Sequence, residues 1–286
     1  MQTSQNLNYT SVKQIGDYYY DPSALLGKGS FGEVYKAYSC TTQEEFAVKV
    51  IPKDKLATKK VEEVILREIE ILQRVQGKQI IKMHYYTQTK NNLYIFLDYC
   101  DGGSLQDHIK KHKFTEEESL RVIKQVADAF LAFQKLDLYD ENGNKYQVVH
   151  RDLKPDNILF HKSKVKLADF GFAKFIPEDE ESLKHSILGT YKYMAPQILA
   201  KEKYNAKCDI WSAGIILYQL IFGKVPWDCF NHMSHYNDIK KDCLQFPNPI
   251  KDETKDLIKG MLTLEEDKRL SWTEVYNHPA FKDIKI

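Results

Sequence analysis

The hydrophobic period changes once along this chain, and that change limits its fold more than any other feature. From residue 18 to about residue 97 the apolar positions come in short alternating runs, at 33–38, 46–51, 80–86 and 93–97. Period-two alternation describes strands with one buried face, and short runs separated by polar turns predict an antiparallel sheet. One helical stretch interrupts them, where Val61, Val64, Ile65, Ile69 and Leu72 recur at three- and four-residue steps. After the turn signal Asp101-Gly102-Gly103 the period becomes helical and stays so, through 120–136, 209–223 and 254–262. A sheet-rich first part followed by a helical second part predicts an α+β chain of two lobes. The expected boundaries are a flexible leader at 1–17, rich in Gln, Asn, Ser and Thr, a first lobe at 18–97, a connection at 98–103 and a second lobe at 104–286.

Composition narrows the function classes. With 286 residues, 43% hydrophobic and 28% charged, the chain can bury a sizeable core, and disordered and fibrous classes are excluded. Lysine and arginine number 41 against 40 acids, so no global field draws the protein to nucleic acid or anionic lipid. The five cysteines are odd in number and lack a C-x-x-C spacing, which reads as reduced thiols in an intracellular, cytoplasmic setting. The longest uncharged apolar run, 210–223, is shorter than the ~20 residues a membrane span needs, so none is expected.

Chemistry enters with LGKGSFGEV, where Gly27, Gly29 and Gly32 have the G-x-G-x-x-G spacing that lets a backbone approach phosphates. In a dinucleotide-binding turn the glycines open a helix, but here EVYKAYS and then FAVKVI follow, so the glycines sit in a hairpin. In FAVKVI, Ala47 and Lys49 share one face while Phe46, Val48 and Val50 take the other. A lone strand lysine is usually an edge charge. Glu68, on or beside the apolar stripe of the one early helix, changes that reading: a buried carboxylate needs a partner, and Lys49 is the natural one.

Further on, VVHRDLKPDNILF packs His150, Arg151, Asp152, Lys154 and Asn157 into eight residues, and Asp169-Phe170-Gly171 follows. In these motifs, in this order, the chain from Tyr18 to Phe281 resembles the eukaryotic protein kinases of the serine/threonine type. The resemblance implies a bilobal fold with a small antiparallel-sheet lobe and a larger helical one, ATP and Mg²⁺ as cofactors, and transfer of the γ-phosphoryl group to a protein Ser or Thr hydroxyl. Asp152 would take the hydroxyl proton, Lys154 would stabilise the γ-phosphate, and Asn157 with Asp169 would hold Mg²⁺. Lys49, held by Glu68, would grip the α- and β-phosphates under a loop of Gly27, Lys28, Gly29, Ser30, Phe31 and Gly32. Leu26, Val34, Ala47 and Leu159 would enclose adenine, with hydrogen bonds from the hinge at Asp98 to Cys100 and Leu97 as gatekeeper. His150 would be structural, packed with Phe170, Leu72 and Met83 above Asp209.

Lys154 and Thr190 point to Ser/Thr specificity. DFGFAK resembles the autophagy-initiating ULK-like kinases, and calcium/calmodulin-kinase relatives share it. Of an acidic trio that basophilic kinases use, only Asp156 remains beside Ser104 and Gln219, so a strong demand for upstream arginine is not expected. Leu188, Tyr191 and Met194 would form an apolar pocket for the residue after the phosphoacceptor. Arg151 suggests control by activation-loop phosphorylation, with Ser186 the candidate acceptor and an upstream kinase or regulatory subunit as partner; alternatively the acids at 178–181 compensate this arginine. Two positions depart from the family. Gln197 stands where a glutamate normally pairs with the residue matching Arg269, and the connection DLYDENGNKYQ is long enough for an extra hairpin turning at Asn142-Gly143. The rival reading, a nucleotide-binding pseudokinase scaffold, would be favoured by loss of Lys49, Asp152, Asn157 or Asp169, and all four are present.

Overall fold

A computed structural model describes residues 12–29, 31–56, 58–136, 138–139, 145–177, 191–227, 232–241 and 244–286. The chain divides into two compact units, one of Met1–Leu66 with Ile81–Asp101 and one of Arg67–Ile80 with Gly102–Ile286.

The first unit is a six-stranded antiparallel sheet. Its strands are β1 (Lys13–Ile15), β2 (Tyr18–Lys28), β3 (Glu33–Ser39), β4 (Glu45–Pro52), β5 (Met83–Gln88) and β6 (Asn92–Asp98), in the spatial order β1-β2-β3-β4-β6-β5. Aromatic and β-branched residues dominate these segments, the types that suit a half-buried pleated surface. On one face Tyr20, Ala37, Phe46, Val48, Val50, Tyr94 and Phe96 form a continuous core. Tyr18 caps it, stacked on Phe96 at 4.2 Å and edge-on to Phe46 at 5.2 Å. Alternation then turns Ala47 and Lys49 to the opposite face, in register with Leu97 and Ile95.

Two expectations need correction here. Residues 13–15 are not loose leader but β1, paired so that Ile15 faces Tyr18. A three-residue strand is too short to declare a period, and the signal lies instead in Gly16, whose φ of +60° suits the first position of a two-residue hairpin turn. The run expected at 80–86 starts only at Met83. Ile80 closes a turn with Gly77 and makes an isolated parallel bridge to Leu167.

Helix α1 (Lys59–Arg74) carries the expected stripe, with Ile65, Ile69 and Leu72 buried. The boundary between the units runs through it, after Leu66. The second unit continues with α2 (Leu105–Lys111), α3 (Glu116–Gln134), β7 (Leu138–Tyr139), β8 (Lys145–Val149), β9 (Ile158–His161), β10 (Lys164–Leu167), β11 (Lys174–Pro177), α4 (Pro196–Leu199), α5 (Cys208–Phe222), α6 (His232–Lys240), α7 (Asp252–Met261) and α8 (Trp272–Tyr276).

Helix α5 is its axis, buried at every residue from Cys208 to Tyr218. Gly214 lets α7 come close, since a Cβ there would lie 3.0 Å from Met261 Cβ and 2.9 Å from the Leu262 side chain. Gly223, at φ +72°, ends the helix in the left-handed cap that glycine adopts without strain. On another side α3 meets α8 through Phe130 stacked on Trp272 at 4.1 Å. Among the described residues, three helices start with reciprocal capping boxes, Ser104 with Asp107, Thr115 with Glu118 and Ser271 with Glu274. The long connection adds a strand, β7, to a three-stranded sheet in the order β11-β8-β7. Its expected turn at Asn142-Gly143 lies outside the described residues.

Candidate active site

The segment after β8 is built on Asp209, at the start of α5. Asp209 Oδ2 accepts the His150 N–H at 2.7 Å and Oδ1 accepts that of Arg151 at 2.8 Å. These bonds hold Arg151 in the left-handed region, at φ +64°, a conformation a non-glycine residue keeps only when its surroundings impose it. Burial pushes the Asp209 pKa up, against the two N–H donors and His150 that favour its charged form.

His150 is fully buried, 5.1 Å from the Phe170 ring. Its Nε2 meets the Ala168 carbonyl at 3.1 Å and its Nδ1 accepts the Asp152 N–H at 3.4 Å. Both ring nitrogens are spent on backbone, as a structural histidine requires.

Asp152, 6% exposed, stands above this frame. Lys154 Nζ donates to its Oδ2 at 2.7 Å, and Asn157 Nδ2 donates to the same oxygen at 3.1 Å and to the Asp152 carbonyl at 2.8 Å. Both side-chain donors converge on Oδ2, which fixes the carboxylate plane and leaves Oδ1 outside that cluster. Pro155 opens the single helical turn that brings Asn157 back to Asp152. Spending Nδ2 on Asp152 also fixes the amide of Asn157, making Oδ1 its presented end. The Asn157 carbonyl accepts the Ala168 N–H at 2.9 Å, which ties it to the residue before Asp169. Asp169 is at φ +60°, and its Oδ1 takes the Gly171 N–H at 3.4 Å.

Mg²⁺ is ordinarily held by one or two protein oxygens together with substrate phosphates. An amide oxygen and a carboxylate linked through one backbone bond fit that need. No group of three or more His, Cys, Asp or Glu suited to a metal occurs among the described residues.

Arg151 Nε donates to the Phe172 carbonyl at 2.6 Å, and its side chain also pairs with the buried Tyr204. Of the expected substrate pocket, Met194 is buried and Tyr191 is half-buried against His235. Leu188 and the phosphorylation candidate Ser186 lie outside the described residues. Sequence reasoning missed how this segment is pinned to α5. Tyr193 donates its hydroxyl to Gln219 Oε1 at 2.9 Å, and Ser212 Oγ donates to the Tyr193 carbonyl at 2.7 Å. Burial raises the Tyr193 pKa to about 12. Gln197 accepts from Arg269 Nη2 at 3.0 Å, as the sequence suggested, and donates to the Leu264 carbonyl at 2.7 Å.

The remaining expected residues fall as follows. In the first unit, Lys49 and Ala47 are both 7% exposed on β4, and Val34 is half-buried on β3 opposite Lys49. Leu26 occupies an irregularity between the paired positions Leu25 and Gly27, 46% exposed. Asp98 and Cys100 are half-buried; the Asp98 carboxylate takes the Lys82 N–H at 3.1 Å and His84 Nε2 at 2.8 Å. In the second unit, Glu68 is 2% exposed on α1 and Leu159 is half-buried on β9, opposite Lys166. Phe31 is half-buried, and Ser30 lies outside the described residues.

The glycines of the loop differ from one another. A Cβ on Gly32 would stand 2.3 Å from the Val50 carbonyl oxygen, so the fold itself forbids a side chain there. Gly27 has nothing within 4 Å of its would-be Cβ, and Gly29 has only the Gly32 carbonyl at 3.7 Å. At the base of the loop Lys28 pairs with Glu33 at 2.9 Å, and Glu33 also accepts the Tyr35 hydroxyl. These two donors hold the Glu33 carboxyl below its ordinary range.

In the second unit, a carboxylate oriented by a lysine and an asparagine, with a second carboxylate one residue beyond the backbone bond to that asparagine, is an arrangement suited to phosphoryl transfer. The chain belongs to the protein kinase domain family, which it matches over residues 20–281. It is a phosphotransferase domain of the serine/threonine type. It is 34% identical to serine/threonine-protein kinase atg1 of Dictyostelium discoideum over 93% of this chain and 39% of that protein. Serine/threonine-protein kinase ATG1a of Arabidopsis thaliana is 36% identical over 96% of the chain and 43% of its own length. Calcium-dependent protein kinase 5 of Plasmodium falciparum is 34% identical over 99% of the chain and 49% of its own length. The chain thus spans less than half the length of these relatives.

Proposed function

We propose that this domain transfers the γ-phosphoryl group of ATP to serine and threonine hydroxyls of protein substrates. The observation that carries the reading is Asp152, buried and fixed through Oδ2 by Lys154 and Asn157. A carboxylate held this way can orient a hydroxyl at its other oxygen and take the proton as the oxygen attacks the γ-phosphorus and the bond to the β–γ bridging oxygen breaks. Lys154, 2.7 Å from the same carboxylate, is placed to follow charge onto the γ-phosphate. Lys49 takes the α- and β-phosphates, with Glu68 as its counter-charge. Asn157 and Asp169 would hold Mg²⁺, which neutralises phosphate charge when bound. Leu26, Val34, Ala47 and Leu159, with the backbone of Asp98 to Cys100, take adenine.

Within the family the reading is ULK-like, supported by DFGFAK and by the ATG1-named relatives; the calcium-dependent relative keeps the second grouping in view. Leu188, Tyr191 and Met194 would favour an apolar residue after the acceptor. Ser186 would be the regulatory phosphorylation site, acted on by an upstream kinase or by a second copy of the domain, in the cytoplasm. No helix among the described residues is long and apolar enough to cross a membrane.

The test is phosphate transfer from ATP·Mg²⁺ to a degenerate Ser/Thr peptide array by the native chain and by Asp152→Asn. The native chain labels peptides and the variant loses about 10²–10⁴-fold in kcat. Equal labelling by the two would remove Asp152 from the mechanism. Silence of both, with or without phosphate on Ser186, would leave a nucleotide-binding scaffold.

A further inference from the structure

Arg269 is the largest cation fully enclosed in the second unit, 1% exposed and lying over the Trp211 ring at 5.1 Å. Its Nε donates to the Thr263 carbonyl at 3.0 Å, Nη1 to that of Lys207 at 3.1 Å, and Nη2 to Gln197 Oε1 at 3.0 Å and the Leu264 carbonyl at 3.3 Å. All of these acceptors are neutral. Hydrogen bonds satisfy the guanidinium, but a buried charge also needs a counter-charge. With glutamine at 197, that segment does not provide one.

A carboxylate approaches from elsewhere. Glu266 lies three residues before Arg269, on the turn Glu266–Lys268, with Oε1 3.6 Å from Arg269 Nη1. Its Oε2 accepts the Asn205 N–H at 3.0 Å, which fixes the side chain. Oε1 is buried with no hydrogen-bond partner among the described residues, and the guanidinium lies within ion-pair distance of it. Burial raises the Glu266 pKa and lowers that of Arg269, and each shift is opposed by the other's charge.

We infer that Glu266 is the counter-charge of Arg269 in this domain, and that Glu266 and Gln197 divide between them a task one glutamate at 197 would perform alone. Glu266 neutralises the guanidinium. Gln197 bridges it to the segment carrying Tyr193 and Met194, and donates to the Leu264 carbonyl at 2.7 Å, a bond that a carboxylate cannot make. The two positions are therefore interdependent. Glutamate at 197 alone would set two carboxylates about one guanidinium and turn one of them on a carbonyl oxygen. Glutamine at 266 alone would leave the buried cation among neutral acceptors. Glu266 is in this sense a positioning residue for the segment that the kinase reading gives to the peptide substrate, and the inference rests on that reading only for its kinetic part.

The experiment compares Glu266→Gln, Gln197→Glu and the double variant with the native chain. Thermal midpoints are measured without nucleotide, which reads the ion pair whether or not the domain is active. KM for peptide and for ATP and kcat are then measured on the same proteins. Each single variant should lower the midpoint and raise peptide KM about tenfold, the equivalent of ~1.4 kcal/mol, with ATP KM unchanged. The double variant should recover the part of both losses that comes from charge and exceed each parent, while still lacking the bond to the Leu264 carbonyl. If the singles do not fold, soluble yield carries the same comparison, and a double variant that folds where they fail supports the pairing. A Glu266→Gln protein equal to native in midpoint and peptide KM would overturn it, as would a double variant no better than its parents.

Discussion

Replacing Gly32 and Gly27 by alanine, one at a time, should divide the glycine loop into a part the fold needs and a part a ligand needs. At Gly32 the new Cβ would stand 2.3 Å from the Val50 carbonyl oxygen and 3.0 Å from Ile51 Cγ1. Val50 and Ile51 belong to β4, an interior strand of the sheet, so the obstacle is backbone and cannot swing aside. Overpacking of this kind costs about 1–3 kcal/mol. At about 4–8 °C per kcal/mol for a unit of 60–100 residues, the size class of the first unit, its thermal midpoint should fall by about 4–24 °C. At Gly27 the Cβ meets nothing within 4 Å, and the backbone is outside the left-handed region. Alanine there restricts the unfolded chain and should leave the midpoint unchanged or raise it, by about 0.4–1 kcal/mol in stability. On the proposed reading a phosphate uses the space it fills, so KM for ATP should rise about tenfold, the loss of one charge-assisted hydrogen bond of about 1.5 kcal/mol. Calorimetry without nucleotide and initial rates against ATP concentration measure the two effects separately. A Gly27→Ala protein that melts as early as Gly32→Ala, or one with unaltered ATP KM, would refute the division.

Lys154→Met removes the donor 2.7 Å from Asp152 and should lower kcat by about 10²-fold or more in initial rates with peptide, while Asn157 keeps its bond to Asp152 Oδ2. Phe130→Ala removes the face stacked on Trp272 and should cost about 3–5 kcal/mol in urea unfolding; a loss below about 1 kcal/mol would mean that α8 contributes little to the core. The cap carboxylates Asp107, Glu118 and Glu274 are held below their ordinary values of 3.8 and 4.5 by their serine and threonine partners. Depressed values mean that their contribution is complete above those ordinary values and is lost as pH falls through the folded ones. Thr115→Ala should therefore cost about 1 kcal/mol near pH 7 and less once pH has fallen through the folded Glu118 value, where only the Glu118 N–H bond to Thr115 Oγ1 remains to be lost; urea unfolding across pH measures the difference.

The sheet and the long helices were legible because their apolar runs are long enough to stand out and stop at turn and cap residues. The expected 46–51 and 93–97 lie inside β4 and β6, and 209–223 covers α5 with its Gly223 cap. The short strands β9 to β11 escaped, since four residues set between helical stretches carry no readable period. At the site, the motif around Asp152 was legible because phosphoryl transfer demands several residue types at fixed spacing. Its supports were only partly so. Asp209 was recognised as an anchor, but the bonds from Tyr193 to Gln219 and from Ser212 to the Tyr193 carbonyl join positions 26 and 19 residues apart. Nothing in a single sequence marks such pairs. Glu266 left a fainter trace, an acid three residues before a buried arginine, which looks like surface charge until Arg269 is known to be enclosed.

The hold of Asp209 on His150 and Arg151 has a consequence for how this protein should fail when heated. The segment that carries Asp152 does not rest on a surface loop that can fray first; its two anchoring bonds end on a carboxylate 1% exposed, at the head of the enclosed helix α5. Activity and the near-ultraviolet signal of Trp211 and Trp272 should then disappear along one curve, with no stage at which the fold is whole and the chemistry already gone.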